Sequence, residues 1–263
     1  MIVSRELEHT LRKLYEMIDK SYPEDRQIDY EKYLNQAGVY NLFNQNLGFL
    51  TIILDIKKFK IVYISKNVFK YTGYHKKEFG DNIASTFTSL LAPEHISYSY
   101  VFASWGINIL KSLSKQHKLH HFLSSWGVKF YNKAGESMRW YISAMPLELD
   151  DSDRPVLVFL TIQDITHLMK GDDYWIRGVF GKEDKKIFVY HSNEEKSYEQ
   201  DILSEREQEV LTYLAKGLNT KDIATILGIS PNTVDNHRRN MLARTGTRDT
   251  TALIHLCKMM GVI

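Results

Sequence analysis

The sequence predicts an α+β fold: an N-terminal antiparallel sheet with helices, followed by a C-terminal all-α unit of four helices. Three observations predict it. Two strand-like runs in "GFLTIILDIKKFKIVYIS" precede a helical zone, and three more strand-like runs follow it. Strands and helices are therefore segregated, not alternated as in a βαβ series. From residue 202 onward the apolar residues fall instead at spacings of three and four, the helical period.

Length and composition bound the rest. A chain of 263 residues has room for two domains, and 43% hydrophobic with 25% charged residues is ordinary for a globular protein. The single cysteine, Cys257, excludes an intrachain disulfide framework and a multi-cysteine zinc site, and it fits a reduced, cytoplasmic setting. The longest apolar runs are far too short to cross a bilayer, and the first twenty residues lack the apolar core of a signal peptide. Neither membrane insertion nor secretion is expected. Net charge is only +2, so any basic patch must be local.

Residues 1–45 read as an N-terminal helical segment. Leu7, Leu11, Leu14 and Ile18 form an apolar stripe over residues 1–20, expected to lie on its own domain, with a short dimer seam as the alternative. "SYPED" ends it, and a second helical stretch is expected over about 28–45. Residues 46–170 hold the five strands. Their helical zone, about 67–114, is broken at Gly73, Gly80 and Pro93, and their later turns fall at "NKAGES" and "DDSDRP". Trp126, Val128 and Phe130 alternate, as do Trp140, Ile142 and Ala144, so each trio is expected to face one side of the sheet. Residues 171–201 suggest a β-hairpin and then a charged linker, "NEEKSYEQD".

Residues 202–263 carry unusually complete helix punctuation. Ser204 and Glu207 form a capping box, and Gly217 suits a C-terminal cap. Asn219 caps a second helix ending at Leu227, and Gly228 permits the left-handed turn of a tight corner. Ser230 caps a third helix with Pro231 at its first position. A fourth runs from about Asp249 to Met260. Two short helices joined by a glycine turn, with small Ala224 near their crossing, make a helix-turn-helix.

In the third helix Val234, His237 and Met241 share a face that can turn inward, while Asn232, Asp235, Asn236 and Arg239 share the opposite face. That mixture suits base edges: Arg donates twice to guanine, Asn pairs with adenine, and Asp accepts from the cytosine amino group. Thr220, Lys221, Thr233 and Arg238 sit near helix starts or flanks, where phosphates are held, and Arg244 and Arg248 extend the basic edge. Residues 201–263 carry a net charge of only +1, although residues 236–248 carry positive charge alone. One copy should bind weakly, so affinity is expected to need two copies on one double-stranded DNA.

"LSEREQEVLTYLAKGLNTKDIATILGISPNTVDNHRRNMLARTG" resembles the DNA-binding domain of the LuxR (GerE) type of bacterial transcription regulators. The resemblance implies major-groove contacts for Asp235, Asn236 and Arg239, phosphate contacts for Lys221, Thr233 and Thr220, and dimerisation through residues around Thr251 to Lys258. Two departures stand out: Arg244-Thr245 replace a usual Lys-Leu pair, and Thr247 replaces an aliphatic residue. Residues of about 46–170 are similar to a PAS domain, through "NVFKYTGYHKKEFG", the closing "QDIT" and the strand order.

PAS resemblance raises the question of a bound group. A cysteinyl-flavin adduct needs a cysteine in the helical region, and Cys257 lies outside it. His75, His95, His117, His120 and His121 are available to haem or metal, but "KQHKLHH" reads as a solvated helix end running into a strand, so no cofactor and no metal are expected. A solid core is favoured over a cavity holding a small-molecule signal. The whole reads as a homodimeric, cytoplasmic, PAS-regulated transcription factor, not an enzyme, with no nucleotide loop, metal motif or Ser-His-Asp order. A PAS-based interaction module without direct DNA binding is the alternative. A phosphorylatable receiver is excluded by the strand layout.

Overall fold

The computed structural model describes residues 5–22, 27–34, 49–78, 83–114, 117 and 121–263. Most of the second helical stretch expected over 28–45, as well as Gly80 and His120, lies outside the described residues.

Helix α1 (Arg5–Ser21) buries Leu7, Leu14 and Ile18, and it packs on α3 (Ile83–Leu90) and α4 (Tyr98–Ser112). Its apolar stripe is thus spent inside the chain, as the simpler sequence reading expects. Before these come β1 (Leu50–Asp55), β2 (Lys60–Ile64) and the short α2 (Val68–Thr72), which stops where Gly73 adopts φ +72°. The three expected strands are β3 (His121–Tyr131), β4 (Ser137–Leu149) and β5 (Pro155–Asp164).

The 171–201 segment forms its hairpin, β6 (Trp175–Phe180) and β7 (Lys186–His191). The stretch expected to be linker folds back as a further strand, β8 (Lys196–Tyr198), paired to β7. A three-residue edge strand rich in charge has no apolar alternation to betray it. All eight strands make one antiparallel sheet in the order β2-β1-β5-β4-β3-β6-β7-β8.

The sheet has two working faces. Ile52, Val128, Phe130, Trp140, Ile142, Ala144, Ile162, Ile176 and Phe180 pack beneath the α3–α4 layer. Trp126, Tyr141, Trp175 and Val189 point the other way and join one continuous apolar cluster with the C-terminal helices. Trp126 therefore does not share a side with Val128 and Phe130, contrary to the alternation read from the sequence. The cause is a bulge: the β3–β4 register shifts between Ser125 and Val128, and Gly127 sits at φ +86°. One extra residue flips every later side chain to the opposite face. Only glycine fits there, since a Cβ would lie 2.3 Å from the Asp173 carbonyl oxygen.

The four C-terminal helices are α5 (Glu205–Ala215), α6 (Thr220–Leu227), α7 (Pro231–Thr245) and α8 (Thr250–Met259). Their shared core is Val210, Leu211, Ile223, Ala224, Val234, Met241, Leu253 and Leu256, all nearly inaccessible to water. Among the described residues no helix is long and apolar enough to cross a membrane.

Candidate nucleic-acid interface

Each helix of the C-terminal unit starts where a side chain can satisfy its free amides. Ser204 and Glu207 form the complete capping box, and the Asn219 oxygen accepts from the Lys221 and Asp222 amides at 2.9 and 3.0 Å. Ser230 accepts from the Thr233 amide at 3.0 Å, with Pro231 at the first helical position. Gly228, at φ +65°, turns α6 into α7. Ala224, 4% exposed, lies in the core where those helices meet. Arg206 braces the corner, donating to the Leu227 carbonyl at 2.5 Å.

This scaffold leaves one face of α7 open. Asn232 and Arg239 are exposed, Asp235 and Asn236 are half-buried, and none is covered by the sheet. Three of the four have partners within the chain. Thr220 donates its hydroxyl to the Asp235 carboxylate at 3.3 Å, and Arg238 pairs with the same oxygen at 3.2 Å. Arg239 donates to the Asn236 side-chain oxygen. Exposed pairs of this kind are worth about 0–1 kcal/mol each, so a stronger partner displaces them cheaply. Lys221 is exposed at the start of α6, and Thr233 is half-buried in the first turn of α7, its hydroxyl 2.8 Å from that of Ser230.

Three expectations need correction. His237 does not join Val234 and Met241 in the core. It is half-buried and lines a cleft between β6–β7 and the helical unit, beside Asn240 and Arg244. Arg244 is exposed but not free to serve as a basic edge, since it donates to buried Glu207 at 2.7 Å and to the Ile202 carbonyl at 2.9 Å. Burial pushes the Glu207 carboxyl up, but hydrogen bonds from Arg244 and Ser204 outweigh it and hold the group below the usual glutamate range. Nor are the two described histidines of "KQHKLHH" solvated. His117 is buried, with its ring nitrogens 2.7 Å from the Ser114 hydroxyl and 2.8 Å from the Asp184 carbonyl, and His121 is buried too.

The other candidate site is a cavity of about 220 Å³ on the inner face of the sheet, which corrects the solid core expected from sequence. It lies among Ile18 of α1, Phe87, Phe102, Leu123, Ile142 and Leu160. Among the described residues no Asp, Glu, Lys or Arg lines it, although Tyr22 and His121 do. Three of its polar groups are paired: Thr88 with Ser99 at 3.2 Å, and Tyr98 with Ser125 at 2.5 Å. Phe87 and Phe130, both in its wall, pack on Trp140, whose buried indole N–H has no acceptor among the described residues.

Residues 201–257 match the family described as bacterial regulatory proteins, luxR family. The C-terminal unit is a LuxR-type helix-turn-helix DNA-binding domain. The transcriptional regulatory protein UhpA of Salmonella typhimurium is 45% identical over 56 residues, 21% of this chain and 29% of that protein. The nitrate/nitrite response regulator protein NarP of Escherichia coli is 47% identical over 51 residues, 19% of this chain and 24% of that one. The chain thus spans less than a third of the length of these curated relatives. Among solved structures, the phage VqmA–DPO complex is 17% identical over 87% of this chain and 90% of that one, with a TM-score of 0.30. A Vibrio cholerae VqmA dimer without target DNA is 16% identical over 87% and 88%, at 0.29. Both superpositions are too loose to establish a shared architecture for the N-terminal half.

Proposed function

We propose that this chain is a sequence-specific transcription regulator that binds double-stranded DNA as a homodimer, its N-terminal half being a PAS-type sensor. The observation that carries the reading is the open face of α7, where Asn232, Asp235, Asn236 and Arg239 stand together on the second helix of a glycine-cornered pair. That is the face a recognition helix lays in the major groove. Lys221, Thr233, Thr220 and Arg238 flank it and would hold phosphates, with Thr220 also steadying Asp235 through its hydroxyl. The antiparallel strands β1 to β5, with helices on one face, support the PAS assignment.

The cavity supports a small-molecule signal and narrows its chemistry. An apolar cavity of about 150 Å³ holds a benzene-sized guest, whereas cofactor sites run to about 300–1,000 Å³. At about 220 Å³, with no Asp, Glu, Lys or Arg among its described lining residues, this one suits an uncharged molecule little larger than a single aromatic ring.

The test is selection of duplexes from a randomised pool by the full chain. Recovery of a motif made of two half-sites about 10 base pairs apart, or a multiple of that spacing, is the expected result. Recovery of no motif, from protein shown to be folded, would overturn the reading in favour of a protein-interaction module.

A further inference from the structure

We propose that Arg177 is a positioning residue that fixes the orientation of the LuxR-type domain on the sheet, and so the direction in which the recognition helix points. The position lies outside the helix-turn-helix, in β6, and 176 and 178 face the opposite side from it. Arg177 is 3% exposed. Its Nε and one terminal nitrogen donate to the two carboxylate oxygens of Asp201, at 2.7 and 2.8 Å. The other terminal nitrogen donates to the Met260 carbonyl at 3.2 Å. Asp201 opens the LuxR-type domain and Met260 caps its last helix, so one guanidinium holds both ends of the domain at a single point on the sheet.

Around that point the two parts meet through directional contacts as well as apolar ones. Trp126 donates its indole N–H to the Thr245 carbonyl at 3.3 Å, and Tyr141 donates its hydroxyl to the Met259 carbonyl at 3.1 Å. The Lys170 amide donates to Gly246 at 2.8 Å, the Arg248 amide donates to Leu168 at 2.9 Å, and Met169 pairs with Thr247 as an isolated bridge. Thr245 and Thr247, two of the departures from the family pattern, are buried with their hydroxyls 2.8 Å apart at this seam. An apolar contact alone tolerates sliding. A planar fork on a carboxylate does not, because both donors must stay aligned. The open face of α7 then takes its direction from the sheet, and in a dimer two such directions set the spacing between recognition helices.

This rests in part on the proposed DNA-binding role, but its first test does not. Hydrogen exchange of the full chain without DNA reads the seam at the Lys170 and Arg248 amides, with the β4–β5 amides as internal reference. Arg177→Met and Asp201→Asn should each speed exchange at those two amides at least tenfold and leave the reference unchanged. Wild-type protection at both amides in either folded variant would overturn the proposal. So would a uniform rise across the chain in both variants, which would make the pair a folding element. Should Arg177→Met alone unfold, Asp201→Asn decides on the same terms. Duplex selection then reads the consequence: one half-site spacing for the wild type and several for the loosened variant. A single unchanged spacing in a variant whose seam exchanges freely would contradict the positioning role.

Discussion

Glu207 illustrates how one side chain serves several ends. Its carboxylate accepts from the Ser204 amide at 2.9 Å and from Arg244 at 2.7 Å, so it caps α5 and anchors α7 together. Because its folded-state affinity for protons is lowered, its contribution is complete above the ordinary glutamate value of 4.5 and is lost as pH falls through the lower folded value. Urea unfolding followed from pH 6 down to pH 3 should show stability falling on the acid side, with a shallower fall for Glu207→Gln. Cys257 is the opposite case. Burial pushes its thiol up to about 12, so at neutral pH it stays protonated. Iodoacetamide should leave it unmodified in the native chain and modify it after denaturation; rapid native labelling would contradict its place in the core. The capping half of Glu207 is legible in the sequence because a capping box is local. Its pairing with Arg244, 37 residues away, is not. That long-range partner is why Arg244 reads as a free basic edge when it is a structural group.

Local chemistry likewise explains which elements could be foreseen. The four C-terminal helices begin at or within a residue of the places their caps announce, and removing the Ser204 cap by Ser204→Ala should cost about 0.5–2 kcal/mol in chemical denaturation. The β3 bulge could not be foreseen, because nothing near Gly127 in the sequence shows that the Asp173 carbonyl crowds it from 46 residues away. Gly127→Ala meets both that clash and a left-handed backbone, whereas Gly135→Ala, at φ +81°, meets open space. Denaturant midpoints should therefore fall markedly more for Gly127→Ala than for Gly135→Ala, and equal falls would contradict the bulge. His117 escapes for the same reason, its carbonyl partner being on the β6–β7 turn. The cavity escapes because alternation of apolar residues shows which side chains face inward and not whether they fill the space.

Across the whole molecule, the sheet separates the cavity from the LuxR-type domain by one layer of backbone. Ile142 lines the cavity, and its neighbour Tyr141 holds Met259 on the far side. A guest that shifts β4 thus moves both faces at once, which gives the proposed signal a physical route to the recognition helix. Charge sets how the assembly holds DNA. If Lys221 and Arg238 are the cationic phosphate contacts of each copy, the proposed dimer would release counterions from about four phosphates. Log affinity against log salt should then fall with a slope of about −4. A slope near −10 would place the binding surface on other cations.

If the open face of α7 reads base edges, loss of the Arg239 side chain must change which bases are preferred. On the duplex recovered by selection, single-base variants should be titrated against the wild type and Arg239→Ala at fixed salt. The substitution should cost about 1–3 kcal/mol on the preferred duplex and remove discrimination at one position of each half-site, the others keeping theirs. Unchanged affinity, or a uniform loss that leaves discrimination intact at every position, would contradict base reading by α7.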